Sequence, residues 1–126
     1  MKKRILIVMS TYYKSISNEL LDNAKKAVDE PFDLISVPGV FEIPVTIAKN
    51  IKKYDGFIAL GCVIKGETPH FDFISSASTQ AIMKLSVDNK KPIGNGILTC
   101  LNMRQAKARD KKGKEAAKAV ISVLEQ

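Results

Sequence analysis

An apolar run that ends in a polar loop decides the predicted fold: residues 57–70 read F-I-A-L-G-C-V-I-K-G-E-T-P-H. Residues 57–64 are apolar throughout, which is typical of a strand in a parallel sheet that helices cover on both faces. The chain turns polar at Lys65 and then reaches His70, the single histidine of the sequence. Because ligands bind at the carboxyl ends of the strands in open α/β sheets, the stretch predicts a central strand with a site at its end.

Strand and helix patterns alternate on either side of this run. Short apolar runs indicate strands, and apolar residues at helical spacing indicate the helices between them. The order βαβαβαβα predicts an α/β fold, a three-layer α/β/α sandwich around a four-stranded parallel sheet, in a flavodoxin-like arrangement with right-handed crossovers. The predicted strands are residues 5–9, 33–37, 57–64 and 93–99, and the predicted helices begin near Ser17, Phe41, Asp72, Asn102 and Gly113.

Three details of the helices are also predicted. Ser17 is expected to cap the first helix, since a serine side chain accepts a hydrogen bond from a free N–H group there. Pro44 fits only the first turn of the second helix, where its missing N–H is no loss. The third helix is expected to run over residues 72–87 and to turn to the core Ile74, Ala77, Ala81 and Leu85.

Length and composition narrow the class of protein. With 126 residues and 45% hydrophobic content, the chain is expected to form one domain, residues 1–126, with its own core. No apolar run is long enough to span a bilayer. The basic N-terminus, Met1 to Arg4, precedes a short apolar run, which predicts a first strand rather than a signal peptide. We therefore expect a cytoplasmic protein without a membrane partner.

Charge and cysteine content limit the possible ligands. The net charge of +7 fits nucleic acid, an anionic small molecule or no specific partner. The most basic segment, residues 104–118, holds no aromatic side chain that could stack on bases, and this argues against RNA binding.

Cys62 and Cys100 lack metal-site spacing, and one histidine cannot complete a cluster with them. Both are therefore expected to be buried, reduced thiols, and no metal site is predicted.

The loops after the four strands are expected to meet at one edge of the sheet, and several of their side chains leave alternatives open. Tyr12 and Tyr13 either stack on a flat ring or pack within a turn. Residues 66–68 match neither a Walker nor a dinucleotide loop, but their N–H groups and hydroxyl suit a phosphate. His70 is either structural or a proton carrier, because imidazole titrates near neutral pH.

Two further pairs of residues also have two interpretations. Pro38 and Gly39 form either a simple turn or a point of close backbone approach to a ligand. Arg109 and Lys112 belong either to a solvated basic face or to a phosphate site. In the second case the arginine acts as a planar fork and the lysine as a point charge.

Three motifs stand in register along the chain. Residues 37–44 read V-P-G-V-F-E-I-P, residues 60–72 read L-G-C-V-I-K-G-E-T-P-H-F-D, and residues 92–99 with the Gln-Ala pair at 105–106 form the third. Together they resemble the V-P-G-A-F-E-I-P, L-G-x-V-I-R-G-x-T-x-H-[FY]-D and last-strand E-Q-A motifs of the 6,7-dimethyl-8-ribityllumazine synthases of riboflavin biosynthesis. The G-N-G-I-L-T version at residues 94–99 further resembles a group found in α-proteobacteria.

This resemblance implies a role for many of the residues at the strand ends. Tyr12 takes the place of an aromatic residue that stacks on the pyrimidine substrate, and Glu42 that of a glutamate that binds ribityl hydroxyls. His70 matches the proton-transfer histidine. The remaining implied contacts are Val40, Phe41, Cys62, Val63, Ile64 and Asn95 for the ring and the ribityl chain, and Glu67, Thr68, Arg109 and Lys112 for the phosphate of the second substrate.

The reaction implied by the resemblance is a transferase reaction that joins 5-amino-6-(D-ribitylamino)uracil to 3,4-dihydroxy-2-butanone 4-phosphate. An amine attacks the ketone to give an imine, phosphate is eliminated, and ring closure with loss of water gives the lumazine. The chemistry needs no metal or redox cofactor. The tasks of the enzyme are to position two substrates and to move protons.

The resemblance also implies a homopentamer with each active site between two subunits. Icosahedral members of the family carry an extra N-terminal strand, whereas this chain enters its first strand by Ile5. We therefore expect pentamers, or pairs of pentamers, rather than an icosahedral shell. One subunit is expected to supply Tyr12, Glu42 and His70, and its neighbour Asn95, Arg109 and Lys112.

Several positions depart from the family pattern and motivate other hypotheses. Asn95 stands where many members carry a phenylalanine that reaches into a neighbour's site, Lys65 replaces a common arginine, and Ala108 replaces a glutamate. The loop between Arg109 and Gly113 is also shorter than usual. One alternative is a binding module that holds a lumazine or flavin without turnover, and another, motivated by charge alone, is an RNA-binding protein.

Overall fold

The computed structural model describes residues 3–126, and within that range the chain forms a four-stranded, wholly parallel sheet. Met1 and Lys2, which belong to the basic N-terminus, lie outside the described residues. The strands are β1 (Ile5–Ser10), β2 (Phe32–Val37), β3 (Gly56–Ile64) and β4 (Ile93–Cys100). Their order across the sheet is β2-β1-β3-β4, so β1 and β3 are the inner strands.

Helices cover both faces of the sheet, which confirms the predicted α/β sandwich. Pro44 lies in the first turn of the second helix, as predicted. No helix among residues 3–126 is long and apolar enough to cross a membrane. The helices are α1 (Lys14–Lys25), α2 (Ile43–Asn50, preceded by a 3-10 turn at Val40–Glu42), α3 (His70–Asn89), α4 (Met103–Lys107) and α5 (Lys112–Leu124).

The core is split by the sheet into two apolar layers. On one face α1 and α5 pack Leu20 and Val120 against strand side chains that include Ile7 and Ile58. On the other face α2 and α3 contribute Ile47 and Ile82. Residues 57–60 of β3 are fully buried between these layers, as the continuous apolar run predicts for a strand covered on both sides.

The register of the sheet leaves the end of β3 protruding beyond β1. Met9 pairs with Leu60 in the last pair between these strands, whereas β3 stays paired with β4 as far as Ile64, opposite Cys100. The last four residues of β3, 61–64, therefore stand above the end of β1. They form a wall at the carboxyl edge of the sheet.

The prediction that Ser17 caps α1 is wrong. The helix begins at Lys14, and Tyr13 precedes it without a side-chain cap. Ser17 is buried inside the helix, and its hydroxyl donates a hydrogen bond to the carbonyl of Ser10. The serine therefore ties α1 to the end of β1 instead of accepting from an N–H group of the helix start.

The buried face of α3 also differs from the prediction, and the helix extends beyond the predicted range of 72–87. Its buried residues are Ser78 and Ile82, whereas Ala77 is exposed. A serine can occupy the buried face because its hydroxyl donates to the carbonyl of Ser75 at 3.3 Å, so it is not left unpaired in the core. Ile74, Ala81 and Leu85 are half-buried, as predicted, so the apolar pattern finds part of this face but misses its serine.

Candidate active site

Most of the predicted site residues surround one cavity at the carboxyl edge of the sheet, which we call the first cavity. Its volume is about 560 Å3. It lies where the end of β1, the 3-10 turn, the protruding end of β3 and the start of α3 meet. Its lining consists of the predicted Tyr12, Val40, Phe41, Glu42, Cys62, Val63, Ile64, Thr68 and His70, together with Tyr13, Gly39, Gly66, Phe71 and Ile74.

Two tyrosines form one side of the first cavity. Their rings meet edge to face, with centroids 4.9 Å apart and planes at 76°. Tyr13 is half-buried against the core; burial raises the pKa of its phenol, and the nearby Tyr12 and Cys62 add to this. Tyr12 is 75% exposed. Tyr13 thus supports Tyr12 from one side, while the ring of Tyr12 is open to a planar ligand.

The turn after β2 holds Glu42 in a defined position. The N–H of Gly39 donates to Oε1 of Glu42 at 2.9 Å, and a Cβ atom at Gly39 would lie 3.2 Å from the same oxygen. In the 3-10 turn Val40 points into the core and Phe41 points out. Because the backbone occupies one carboxylate oxygen, the second oxygen is the one available to a ligand.

The protruding end of β3 gives the cavity an apolar wall. Cys62 is only 4% exposed. Burial raises the pKa of its thiol to about 12, and Cys100 contributes a smaller increase. Since the thiolate is the reactive form of cysteine, Cys62 is a neutral wall residue rather than a nucleophile. Its neighbours Val63 and Ile64 complete the wall.

The loop between β3 and α3 brings His70 to the rim of the first cavity. The N–H of Lys65 donates to the carbonyl of Cys100 at 2.9 Å and anchors the loop to β4. The N–H of His70, the first residue of α3, donates to Oγ1 of Thr68 at 3.4 Å. The imidazole is exposed and has no hydrogen-bond partner among residues 3–126, so it is available to a ligand. Glu67 is exposed and does not line the cavity.

The other predicted residues lie around a second cavity, of about 590 Å3, beside the edge strand β4. Three cations and one carboxylate face it, so its charge favours an anion. It shares no lining residue with the first cavity. The structure therefore brings Arg109, Lys112 and Asn95 together but does not bring them to His70 of the same chain. The lining is Asn95, Ile97, Leu98, Thr99, Ala108, Arg109, Lys111, Lys112 and Glu115.

A buried thiol holds the arginine of the second cavity. Nη1 of Arg109 donates to Sγ of Cys100 at 3.7 Å, and Cys100 is 1% exposed at the end of β4. Asn102 accepts the N–H of Gln105 at 2.9 Å and starts α4, the short helix that leads to Arg109. Within residues 3–126 no three His, Cys, Asp or Glu side chains are grouped to hold a metal ion.

Some lining residues were not singled out from the sequence. Ile74 lies four residues after His70 along α3, so helical spacing from His70 could have identified it, and Phe71 lies three residues before Ile74. Lys111 and Glu115 flank Lys112 on the first turn of α5, but they lie among many charged residues, and nothing in the sequence separates them from a solvated face.

Comparison with known proteins decides the family. The sequence model of the 6,7-dimethyl-8-ribityllumazine synthases matches residues 2–126. The chain belongs to this family. A lumazine synthase of Agrobacterium fabrum is 45% identical, with 98% of this chain and 94% of the relative aligned. Lumazine synthase 1 of Rhizobium meliloti is 42% identical (96% and 89% aligned), and a lumazine synthase of Bartonella tribocorum is 43% identical (98% and 89% aligned).

These relatives confirm the family resemblance seen in the sequence. They are α-proteobacterial lumazine synthases, as the G-N-G-I-L-T version of the last strand predicts. They cover nearly the whole chain, so all three motifs lie inside the matched region. The family is thus confirmed, and the roles of individual residues stay predictions.

Proposed function

We propose that this chain catalyses the lumazine synthase reaction. It condenses 5-amino-6-(D-ribitylamino)uracil with 3,4-dihydroxy-2-butanone 4-phosphate to give 6,7-dimethyl-8-ribityllumazine, phosphate and water. The observation that carries the proposal is the match of the family to residues 2–126. We further propose that residues 1–126 act as one domain and that the enzyme works in the cytoplasm.

The pyrimidine substrate occupies the first cavity in this proposal. Its ring stacks on the open face of Tyr12 and lies against the apolar wall of Cys62, Val63 and Ile64, with Val40 and Phe41 at the turn. Stacking between aromatic rings contributes on the order of 1 kcal/mol beyond the burial of area. The apolar wall excludes water from the ring, while the exposed imidazole of His70 stays at the rim.

Glu42 binds the ribityl chain through its free carboxylate oxygen. The Gly39 N–H already occupies Oε1, so the carboxylate is held in place before the substrate arrives. Ribityl hydroxyls donate to the second oxygen in charge-assisted hydrogen bonds, which are stronger than neutral ones. Because the carboxylate is preorganised, little entropy is lost when the chain binds.

His70 moves the protons of the reaction. Imine formation requires a proton on the departing hydroxyl, and elimination of phosphate requires removal of a proton from carbon. An imidazole serves both steps because its two ring nitrogens can accept and donate protons. His70 is placed at the start of α3 by the Thr68 side chain, at the rim where the two substrates meet.

The second substrate is held by its phosphate group. Arg109 and Lys112 of the second cavity supply the cations, with Glu67 and Thr68 on the side of the first cavity. Since the two cavities are separate in one chain, the proposal requires a neighbouring subunit whose second cavity faces the first cavity. We propose that this assembly is the homopentamer, alone or in pairs, that the family resemblance implies.

An exposed apolar stripe supports assembly. Phe73, Met83 and Val87 lie at helical spacing on one side of α3, and each is more than 60% exposed in the single chain. Large apolar side chains that cluster on a surface are typical of an interface between subunits. A closed ring of identical subunits buries such a stripe on every copy.

The decisive assay mixes the folded protein with both substrates and follows the absorbance or fluorescence of the lumazine and the release of phosphate. We expect one phosphate for each lumazine formed. Folded oligomer that forms no product refutes the proposal. If such protein still shows quenching on addition of a lumazine, it is the binding module considered above.

A further inference from the structure

Asn95 occupies a position that gives its side chain a use other than stacking. It lies in β4 between Gly94 and Gly96, and its exposed side chain lines the second cavity together with Arg109. Many members of the family carry a phenylalanine here, as noted above. A carboxamide offers little surface for stacking but provides one hydrogen-bond acceptor and two N–H donors.

The structure fixes which atom of the amide is free. The N–H of Ile97 donates to Oδ1 of Asn95 at 3.1 Å. A backbone N–H is only a donor, so the atom that it contacts is the oxygen, and the orientation of the amide follows. Nδ2, with its two N–H groups, has no hydrogen-bond partner among residues 3–126.

The surroundings of Nδ2 favour an anion. Arg109, Lys111 and Lys112 line the same cavity, against the single carboxylate of Glu115. An anion with several oxygens, such as a phosphate group, accepts from a guanidinium, an ammonium and an amide at once. A neutral donor among these cations adds a hydrogen bond without adding repulsion between like charges.

Two backbone N–H groups beside the cavity are not available to an anion, which increases the value of side-chain donors there. At the start of α5 the N–H of Lys112 donates to the carbonyl of Arg109 at 3.0 Å, and the N–H of Gly113 donates to the carbonyl of Asp110 at 3.3 Å. These groups are therefore engaged in turns.

We propose that Asn95 is a phosphate-binding residue, which donates from Nδ2 to the phosphate group of the second substrate alongside Arg109. Its Oδ1 accepts from the N–H of Ile97 in β4, and this contact orients Nδ2 toward the cavity. The identity of the phosphate ester rests on the proposed function, whereas the anion site rests on the residues of the second cavity. Asn95 thus provides a hydrogen-bond donor at a position where the family resemblance leads one to expect the apolar ring of a phenylalanine.

Two substitutions separate the binding role from the backbone contact. Asn95→Asp keeps the shape and the oxygen that accepts from Ile97, but it replaces the donor with a negative charge. Asn95→Ala removes both the acceptor oxygen and the N–H donors. Calorimetry with inorganic phosphate is expected to give about 3- to 10-fold weaker binding for Asn95→Ala, the loss of one hydrogen bond. The loss is expected to be more than about 10-fold for Asn95→Asp, because repulsion is added.

A purely structural role predicts the opposite order. Asn95→Ala would then bind phosphate less well than Asn95→Asp, which loses only the modest affinity that a screened charge removes, and this order would overturn the inference. In steady state, the proposed role raises KM for the phosphate substrate in Asn95→Asp and leaves KM for the pyrimidine substrate nearly unchanged. If Asn95→Asp does not fold, Asn95→Leu, similar in shape and without donors, carries the test, and unchanged phosphate affinity overturns the proposal.

Asn18→Asp is the matched control. Asn18 is exposed on α1 and lines neither cavity, so the variant has the same change in net charge and is expected to bind phosphate like the wild type. Phosphate binding is measured without turnover. A failure to form lumazine therefore removes the proposed function alone, whereas wild-type affinity in Asn95→Asp removes the inference alone. A wild-type oligomer that binds no phosphate also overturns the inference.

Discussion

At the scale of single residues, His70 is the side chain of the first cavity that is suited to proton transfer. We expect His70→Asn to lower kcat by about 100-fold or more, the usual contribution of a general acid–base group, with KM for both substrates changed little. The unfolding midpoint should stay the same, because the imidazole is exposed and makes no hydrogen bond among residues 3–126. Lumazine formation and thermal unfolding measure the two effects. A variant that keeps its kcat would exclude His70 as proton carrier.

Arg109 is expected to act on one substrate more than on the other. Its guanidinium lies in the second cavity and donates to Cys100. Removal of a charged hydrogen-bond donor in Arg109→Ala should raise KM for the phosphate substrate by roughly 10- to 100-fold. KM for the pyrimidine substrate should change far less. Equal increases for the two substrates, measured by varying each in turn, would contradict the assigned role.

The Cys62 thiol stays neutral at pH values well above those at which a cysteine ordinarily ionises. Burial raises its pKa to about 12 from an ordinary 9.0, so at pH 8 a disulfide reagent should modify it far more slowly than in urea-unfolded protein. As the pH rises above about 9, the thiol ionises in the unfolded state but not in the folded state, so its contribution to stability is lost between pH 9 and about 12.

The variant Cys62→Val separates the effect of this thiol on stability from the effects of other groups that titrate at alkaline pH. The difference in urea midpoint between the wild type and Cys62→Val should shift in favour of the variant as the pH rises from 7 to 10.5. A difference that does not depend on pH would mean that the Cys62 thiol is not protected in the folded protein.

At the scale of elements, the packing of α1 against α5 depends on a glycine. A Cβ atom at Gly113 would collide with the backbone carbonyl of Leu20, and a carbonyl within α1 cannot move without displacing the helix. Gly113→Ala should therefore destabilise the fold by about 1–3 kcal/mol through overpacking, although alanine favours helix. Urea unfolding measures the change. Gly66→Ala is the control, because a Cβ atom there has no atom of residues 3–126 within 4 Å. Equal stability of the two variants would refute the close contact.

The elements show how far the sequence predicts the fold. All four strands were predicted to within one residue at each end. The buried strands β1 and β3 leave continuous apolar runs, whereas the bounds of β2 and β4 are marked by Pro38 after β2 and Pro92 before β4. The start of α1 was predicted wrongly, because the Ser17 hydroxyl donates to the carbonyl of the distant Ser10 rather than capping its own helix. The protrusion of β3 beyond β1 depends on the register between strands, which no local pattern specifies.

At the scale of the whole molecule, the site is predicted less fully than the fold. Strand-end residues such as His70 could be expected at the carboxyl edge, because parallel strands end there. The division into two cavities depends on where the edge strand β4 and the α4–α5 loop lie, and spacing along the chain does not give this. The roles of Asn95 and Arg109 were suggested by resemblance, and the orientation of the Asn95 amide came from its contact with Ile97.

The size of the assembly follows from the proposed pentamer. Five chains of 13.9 kDa give about 70 kDa, and a pair of pentamers gives twice that mass. Native mass measurement distinguishes both from a monomer. A stable, active monomer would contradict a site shared between subunits.

A mixing experiment tests the shared site itself. The activities are compared at a concentration of the phosphate substrate well below the KM of Arg109→Ala, where both variants are deficient. If each site takes His70 from one subunit and Arg109 from its neighbour, the His70→Asn and Arg109→Ala chains then complement one another in a mixed ring. With equal amounts assembled at random, one site in about four combines an intact His70 with an intact Arg109, so about a quarter of wild-type activity should return after joint refolding. Rings refolded separately and then combined are the control. If joint refolding restores no activity although mixed rings form, both residues belong to the site of a single chain.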